Sequence, residues 1–275
     1  MGCSDSDYVY LRGSVHSGPA ILVEPSRNGL FETRLKPIVR RAGASNLEEI
    51  VSILRADQSP HLHRAVAAAM TINETSFFRD CKAFDELRKT ILPRLIEANS
   101  AERKLRIWSA AASNGQEAYS VAMLICEHFP NLASWDVKII GTDISRQVVE
   151  YARNGVYRRL EVNRGLPARM LVKYLVRDGD EWEVVPKLRS MCDFQHANLC
   201  GQLPQLPIFD LVLLRNVLLY LTPKNRSSVF AVVRSQMAQT SCLLLGASEQ
   251  AEDSTKLFEA EFTGECYFYR PIVRS

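Results

Sequence analysis

The constraint that limits this chain most is one uninterrupted pattern. The run Leu105-Arg-Ile-Trp leads into the small-residue loop Ser109-Ala-Ala-Ala-Ser-Asn-Gly115 and then the apolar helical stretch Gln116–His128. A second apolar strand, residues 137–142, ends at Asp143. Strand, tight loop, helix, strand and acidic residue form the first half of a nucleotide-binding α/β fold. Only one glycine, Gly115, lies in the loop. A dinucleotide site needs several, so that the backbone can approach a pyrophosphate. A loop of Ala, Ser and Asn suits instead a nucleoside cofactor without phosphates, of which S-adenosylmethionine is one. Asp143, at the carboxyl end of the second strand, is placed to accept hydrogen bonds from a ribose diol.

Bulk properties exclude several classes. The chain has 275 residues, of which 47% are hydrophobic, so a sizeable core is available. The net charge of +3 includes no basic tail and gives no support for nucleic-acid binding. The 7 cysteines are scattered without a Cys-x-x-Cys pair, and His61, His63, His128 and His196 lack ligand spacing, so no metal site is expected. No stretch reaches the ~20 apolar residues of a membrane span and no secretory signal is visible, so the expectation is a cytoplasmic protein without membrane insertion. A monomer is expected.

Residues 8 to about 70 read as helical. Residues 30–41 form a helix that Pro37 kinks or restarts, 46–54 a helix capped by Ser45 or Asn46, and 63–70 another. Residues 84–92 are helical, with Pro93 interrupting or ending the run. The α/β alternation follows: strand 105–110, helix 116–128, strand 137–142, and helix 145–154 with Ser145 as its cap and Gly155 as its stop. It breaks over 157–192, where residues 166–176 suggest a short helix and Asp178-Gly179 a turn in a small antiparallel unit. Apolar strands return at 209–214 and 242–246, separated by a helix that Thr222 caps. Two last strands, near 257–262 and 266–270, would close the sheet in antiparallel fashion.

Four segments carry a more specific signal. They are Asn73-Glu-Thr75-Ser-Phe-Phe-Arg79, the loop and helix from Ser109 to Ser120, Gly141-Thr-Asp143, and Leu214-Arg215-Asn216 running on to Tyr220. Their order and spacing resemble the CheR-type chemotaxis receptor methyltransferases over nearly the whole chain. The resemblance implies an α/β fold: a small N-terminal helical domain, then a Rossmann-like methyltransferase domain with a small antiparallel β insertion. The expected boundaries are 1–80 for the substrate-recognition domain and linker, 81–275 for the methyltransferase domain, and 157–192 for the insertion. It implies methyl transfer from S-adenosylmethionine to glutamate side chains of chemoreceptors, with S-adenosylhomocysteine as product. A glutamate has a free pKa of ~4.3 and needs no general base at neutral pH, so the lack of a His–Asp dyad agrees.

By position, the resemblance implies that Asn73, Thr75, Arg79, Glu117, Asp143, Asn198, Leu199, Arg215 and Asn216 contact the cofactor, with Arg79 and Tyr220 catalytic. Taken alone, Phe77 and Phe78 read as packing and Tyr220 as core. The basic residues Arg34, Lys36, Arg40 and Arg41 offer a face for acidic receptor helices, although on a generic helix they would be a solvated surface. The chain departs from the family at Asn114 (often Thr), Gln116 (often Glu), Leu221-Thr222 (often Phe-Asp) and Gly246-Ala-Ser-Glu249 (Gly-His-Ser-Glu). Rival readings are a regulator that binds the cofactor without catalysis and a methyltransferase of some other receptor-like protein.

Overall fold

A computed structural model describes residues 3–17, 24–56, 59–70, 74–251 and 256–272. The chain divides into two compact units, Met1–Ile72 with Tyr220–Arg226, and Asn73–Leu219 with Ser227–Ser275.

Among its described residues the first unit holds α1 (Asp5–Ser17), α2 (Gly29–Arg41), α3 (Leu47–Arg55) and α4 (Pro60–Met70). Their apolar stripes bury Leu11, Val15, Phe31, Leu35, Ile50, Leu54 and Val66 in one core. Helix α3 starts as expected: Asn46 accepts from the Glu49 amide at 2.9 Å, while the Glu49 carboxylate accepts from the Ser45 amide at 2.8 Å. Pro37 does not break α2. Thr33 and Pro37 are both exposed, so the carbonyl that proline leaves unserved is open to water.

In the second unit, α5 (Cys81–Glu86) runs through a π-helical turn, Leu87–Ile91, into α6 (Leu92–Ala98). Pro93 therefore does not end the run as the sequence suggested. It occupies the first turn of α6, where a missing N–H costs little. Then follow β1 (Lys104–Ala110), α7 (Gln116–His128), β2 (Asp136–Asp143) and α8 (Arg146–Asn154), whose C-terminal Gly155 has φ 64°. The inserted stretch holds β3 (Val156–Arg158), α9 (Arg159–Val162), α10 (Ala168–Tyr174), β4 (Leu175–Asp178), β5 (Glu181–Val184) and α11 (Pro186–Met191). The chain closes with β6 (Cys192–His196), β7 (Phe209–Leu214), α12 (Pro223–Ser235), β8 (Met237–Leu245), β9 (Phe258–Phe262) and β10 (Tyr267–Pro271). Thr222 caps α12, its hydroxyl accepting from the Asn225 amide at 3.3 Å.

The main sheet has the order β6-β2-β1-β7-β8-β10-β9, parallel from β6 to β8 and antiparallel at β10 and β9. A separate antiparallel sheet of order β3-β5-β4 forms the insertion, with the expected turn at Gly179. The sequence reading placed no strand at 192–196, and the structure corrects this. Strand β6 pairs with β2, with Gly141 opposite Phe194. It escaped notice because Cys192-Asp-Phe-Gln-His buries only Phe194 fully, as befits a sheet edge.

Phe194 also explains the glycine inside β2. A Cβ on Gly141 would lie 2.5 Å from the Phe194 ring. Gly141→Ala is expected to cost about 1–3 kcal/mol by overpacking. The cost should shrink in a Phe194→Leu background, and a double-mutant cycle in urea measures that coupling.

Candidate functional site

From β1 the chain adds β2 and β6 on one side and then β7 and β8 on the other. Successive connections thus diverge at the carboxyl ends of β1 and its neighbours, which opens the crevice where parallel α/β sheets hold ligands. Loops after β1, β2, β6, β7 and β8 gather there.

The loop after β1 is bent by main-chain bonds. The Ala112 amide donates to Thr142 O at 2.8 Å, and the Gly115 amide donates to Ala112 O at 3.0 Å. Gly115 has φ 87°, and a Cβ there would meet Ala152 Cβ at 2.8 Å, so only glycine lets α7 start this close to α8. Asp143 stands at the end of β2 and is 7% exposed. Its two oxygens accept from the Ser113 and Ser145 amides, each at 2.9 Å. Burial pushes its pKa above the ordinary aspartate value, against the lowering effect of these amide donors. Ser145 holds the N-cap position of α8, but its side chain makes no capping bond. Asp143 satisfies the Ser145 amide instead, which corrects the expectation of a serine cap. Next to it, the Ala197 amide donates to Asp143 O at 2.9 Å, and Asn198 Oδ1 accepts from the Cys200 amide at 2.9 Å. Leu199 beside it is buried.

A second cluster centres on Arg215, directly after β7. Its side chain is 2% exposed and pairs with Glu117 at 2.9 Å and Asp80 at 2.8 Å. It also donates to the main-chain oxygen of Arg79 at 2.8 Å and lies 5.6 Å from the Phe84 ring centroid. Glu117, in the first turn of α7, accepts in addition from the Ser109 hydroxyl at 2.7 Å. One guanidinium thus ties β1, α7 and the segment 79–80 together. That segment is also held along its length. Phe77 is fully buried edge-on to Tyr157, as the packing reading expected, and the Phe78 amide donates to Ser120 Oγ at 2.9 Å.

The structure brings Glu117, Asp143, Asn198, Leu199, Arg215 and Asn216 to the loops at the carboxyl edge of the sheet. Thr75 is half-buried in the segment before α5. The Arg79 guanidinium donates to Glu74 O at 2.8 Å, so it is its carbonyl that meets Arg215. Tyr220 packs half-buried against the helical core of the first unit. Asn73 lies outside the described residues. Sequence reasoning missed Asp80, Ser109 and Ser113, whose roles arise only from contacts made in the folded chain. It noted Glu249 in a motif without a role. The signal that would have found Asp80 is its place beside Arg79, opposite an arginine buried after β7.

Seven described non-glycine residues have positive φ, and Phe78, Asp80, Ala111, Ser113 and Asn216 among them border these two clusters. Such conformations cost about 1–3 kcal/mol each and concentrate where geometry matters.

The family model described as CheR methyltransferase, SAM binding domain, matches residues 73–266. A chemotaxis protein methyltransferase 1 from Pseudomonas aeruginosa is 35% identical over 253 residues, 90% of this chain and 92% of that one. A chemotaxis protein methyltransferase from Vibrio parahaemolyticus is 34% identical over 260 residues, 93% of each chain. The cofactor is therefore S-adenosylmethionine, and the site fits it. With amide donors from Ser113, Ser145 and Ile144, the Asp143 carboxylate still keeps acceptor capacity for a ribose hydroxyl. Two carboxylates, Asp80 and Glu117, surround a single guanidinium, a balance suited to a cationic sulfonium and amino group. Arg215 Nε and Gln116 Oε1 are buried polar atoms that have no partner among the described residues.

Breaking the Arg215 bridge from one side should be costly, because it leaves buried partners uncompensated. Arg215→Met leaves Glu117 facing only Ser109 and frees Asp80, and is expected to cost about 3–5 kcal/mol in denaturant unfolding. Arg215→Lys should recover only part of this, because an ammonium lacks the planar fork that reaches both carboxylates and a carbonyl.

Proposed function

The chain belongs to the CheR methyltransferase family, and from that premise we propose that it methylates glutamate side chains of chemoreceptors, giving methyl esters in sensory adaptation. The observation that carries this reading is the match to named chemotaxis methyltransferases over nine-tenths of both chains. The cofactor supplies an activated methyl group. A substrate glutamate is already ionised at neutral pH, so the protein has to align it and exclude water.

In this reading Asp143 accepts from the ribose diol, and Asn198 and Leu199 border the adenine. Glu117 holds the amino end of the methionyl group, with Arg215 and Asn216 beside it. Asn73 and Thr75 add contacts from the linker. Arg79 contacts the cofactor and orients the incoming carboxylate by its fixed charge, and Tyr220 donates a hydrogen bond to that carboxylate. The substrate helix meets α2. Lys36, Arg40 and Arg41 are exposed there, and Arg34 flanks them while donating to Met70 O at 3.0 Å.

The direct test incubates the protein with radiolabelled S-adenosylmethionine and a chemoreceptor cytoplasmic domain. Label should enter receptor glutamates and be released as methanol by alkali. Base-stable label, or none, overturns the substrate assignment.

Asp143 gives a pH signature. The ribose hydroxyls need an ionised acceptor, so affinity for S-adenosylhomocysteine should fall as pH drops through the Asp143 pKa. Burial raises that pKa, so the loss begins above the ordinary aspartate range. Asp143→Asn should bind weakly with no such decline in titration calorimetry. Asp143→Ala should lose about 1.5–3 kcal/mol of binding.

The α2 face gives a separate prediction. Arg40→Glu with Arg41→Glu should leave S-adenosylhomocysteine affinity unchanged while raising the KM for receptor. Wild-type KM should itself rise with salt, since exposed charges are screened over ~8 Å at physiological ionic strength. Normal methylation by the reversed protein at every salt concentration would reduce the face to a solvated surface.

A further inference from the structure

Glu249 lies just beyond β8, outside the residues assigned above, yet the residue is only 7% exposed. No basic side chain pairs with it among the described residues; main-chain amides hold it. One oxygen accepts from the Leu218 amide at 2.7 Å. The other accepts from Asn216 at 2.6 Å and from Gly246 at 2.9 Å. Asn216 and Leu218 belong to the loop after β7, and Gly246 to the loop after β8. These are neighbouring parallel strands, so the carboxylate closes the gap between their carboxyl ends.

Only a carboxylate satisfies this nest. Both oxygens must accept, and a glutamine would turn an N–H toward an N–H on one side. The nest also accounts for Gly246. A Cβ there would stand 2.7 Å from Glu249 Oε2 and 2.8 Å from Asn216 Nδ2. Gly246 shows no left-handed φ, so the intrusion on Glu249, and not backbone strain, is what an alanine would meet.

The consequence falls on Arg215. Asn216 has φ 58°, a left-handed conformation that asparagine adopts more readily than most residues and that is held here by its neighbours. Its amide is fixed by Glu249. The turn at Asn216 aims the preceding Arg215 into Glu117, Asp80 and the Arg79 carbonyl. We infer that Glu249 is a positioning residue: its main-chain nest holds the Asn216 turn and so keeps Arg215 and Glu117 in the geometry that binds cofactor. The inference rests on the cofactor assignment and not on the identity of the protein substrate.

The test measures S-adenosylhomocysteine affinity by calorimetry, together with thermal unfolding, for wild type, Glu249→Gln and Gly246→Ala. Glu249→Gln removes the acceptor; Gly246→Ala displaces it. Both variants should melt cooperatively, yet bind the product at least ~10-fold more weakly, a loss of ~1.4 kcal/mol. With a receptor substrate, the KM for S-adenosylmethionine should rise at least ~10-fold while the KM for receptor stays within about twofold, whereas general destabilisation lowers apparent kcat and leaves both KM values unchanged. Wild-type affinity in both folded variants overturns the inference. If both variants fail to fold, amide exchange on the wild type decides. Slow exchange at the Asn216 and Leu218 amides of the wild type, sped up by Glu249→Asp, supports the nest, and exchange at free-loop rates in the wild type refutes it. Should wild type bind the product but methylate no receptor, the substrate reading fails while the binding arm still judges Glu249.

Discussion

The site depends on one buried guanidinium. Arg215 is the only described side chain that joins Glu117 on α7 to Asp80 and the Arg79 carbonyl on the incoming segment. Burying a charge is costly unless it is paired and hydrogen-bonded. Here the cost is offset by two carboxylates, a carbonyl and an aromatic face. Those partners are in turn fixed by Arg215, so none of these elements can move far without exposing an uncompensated charge. The bridge is therefore better understood as a device for geometry than as a source of stability, in line with the modest net worth of buried ion pairs.

Asp143 solves the opposite problem. It carries no compensating cation and is held by amides alone. Burial raises its pKa, and that penalty is tolerated because two loop amides must have an acceptor there. One residue thus ends β2, begins α8 and keeps acceptor capacity facing the crevice. The structural reading of Asp143 as a helix cap and the functional reading as a ribose acceptor are compatible, since each uses different lone pairs.

Much of this was legible in the sequence. Strands β1, β2, β7 and β8 are apolar runs because both faces of the parallel part are covered, and Gly115 and Gly155 mark the ends of α7 and α8. Strand β6 was not legible, because an edge strand with one buried aromatic has no periodic signal. Glu117, Asp143 and Arg215 were nameable through the resemblance, but their partners were not. Asp80 lies 135 positions from Arg215 and Ser109 8 positions from Glu117, and nothing local says that these pairs meet. Proline misled for a physical reason as well. Pro37 was read as a kink or restart and Pro93 as an interruption or end, whereas an exposed carbonyl and a first-turn position absorb the missing donor.

The strained residues show how the pieces cooperate. Phe78, Ser113 and Asn216 each hold positive φ, and the amide of each is taken by a side chain from elsewhere: Ser120, Asp143 and Glu249. Asp80 is held by Arg215. Local preference alone would relax Phe78 and Ser113 toward the right-handed or extended regions, and Asp80 and Asn216 less strongly. What prevents this is a set of polar side chains standing on α7, at the carboxyl end of β2 and in the loops beyond β7 and β8. The scaffold therefore holds the loop conformations with bonds of its own. A site built this way gains affinity by preorganisation, and its weakest point is the loss of any one acceptor that holds a turn.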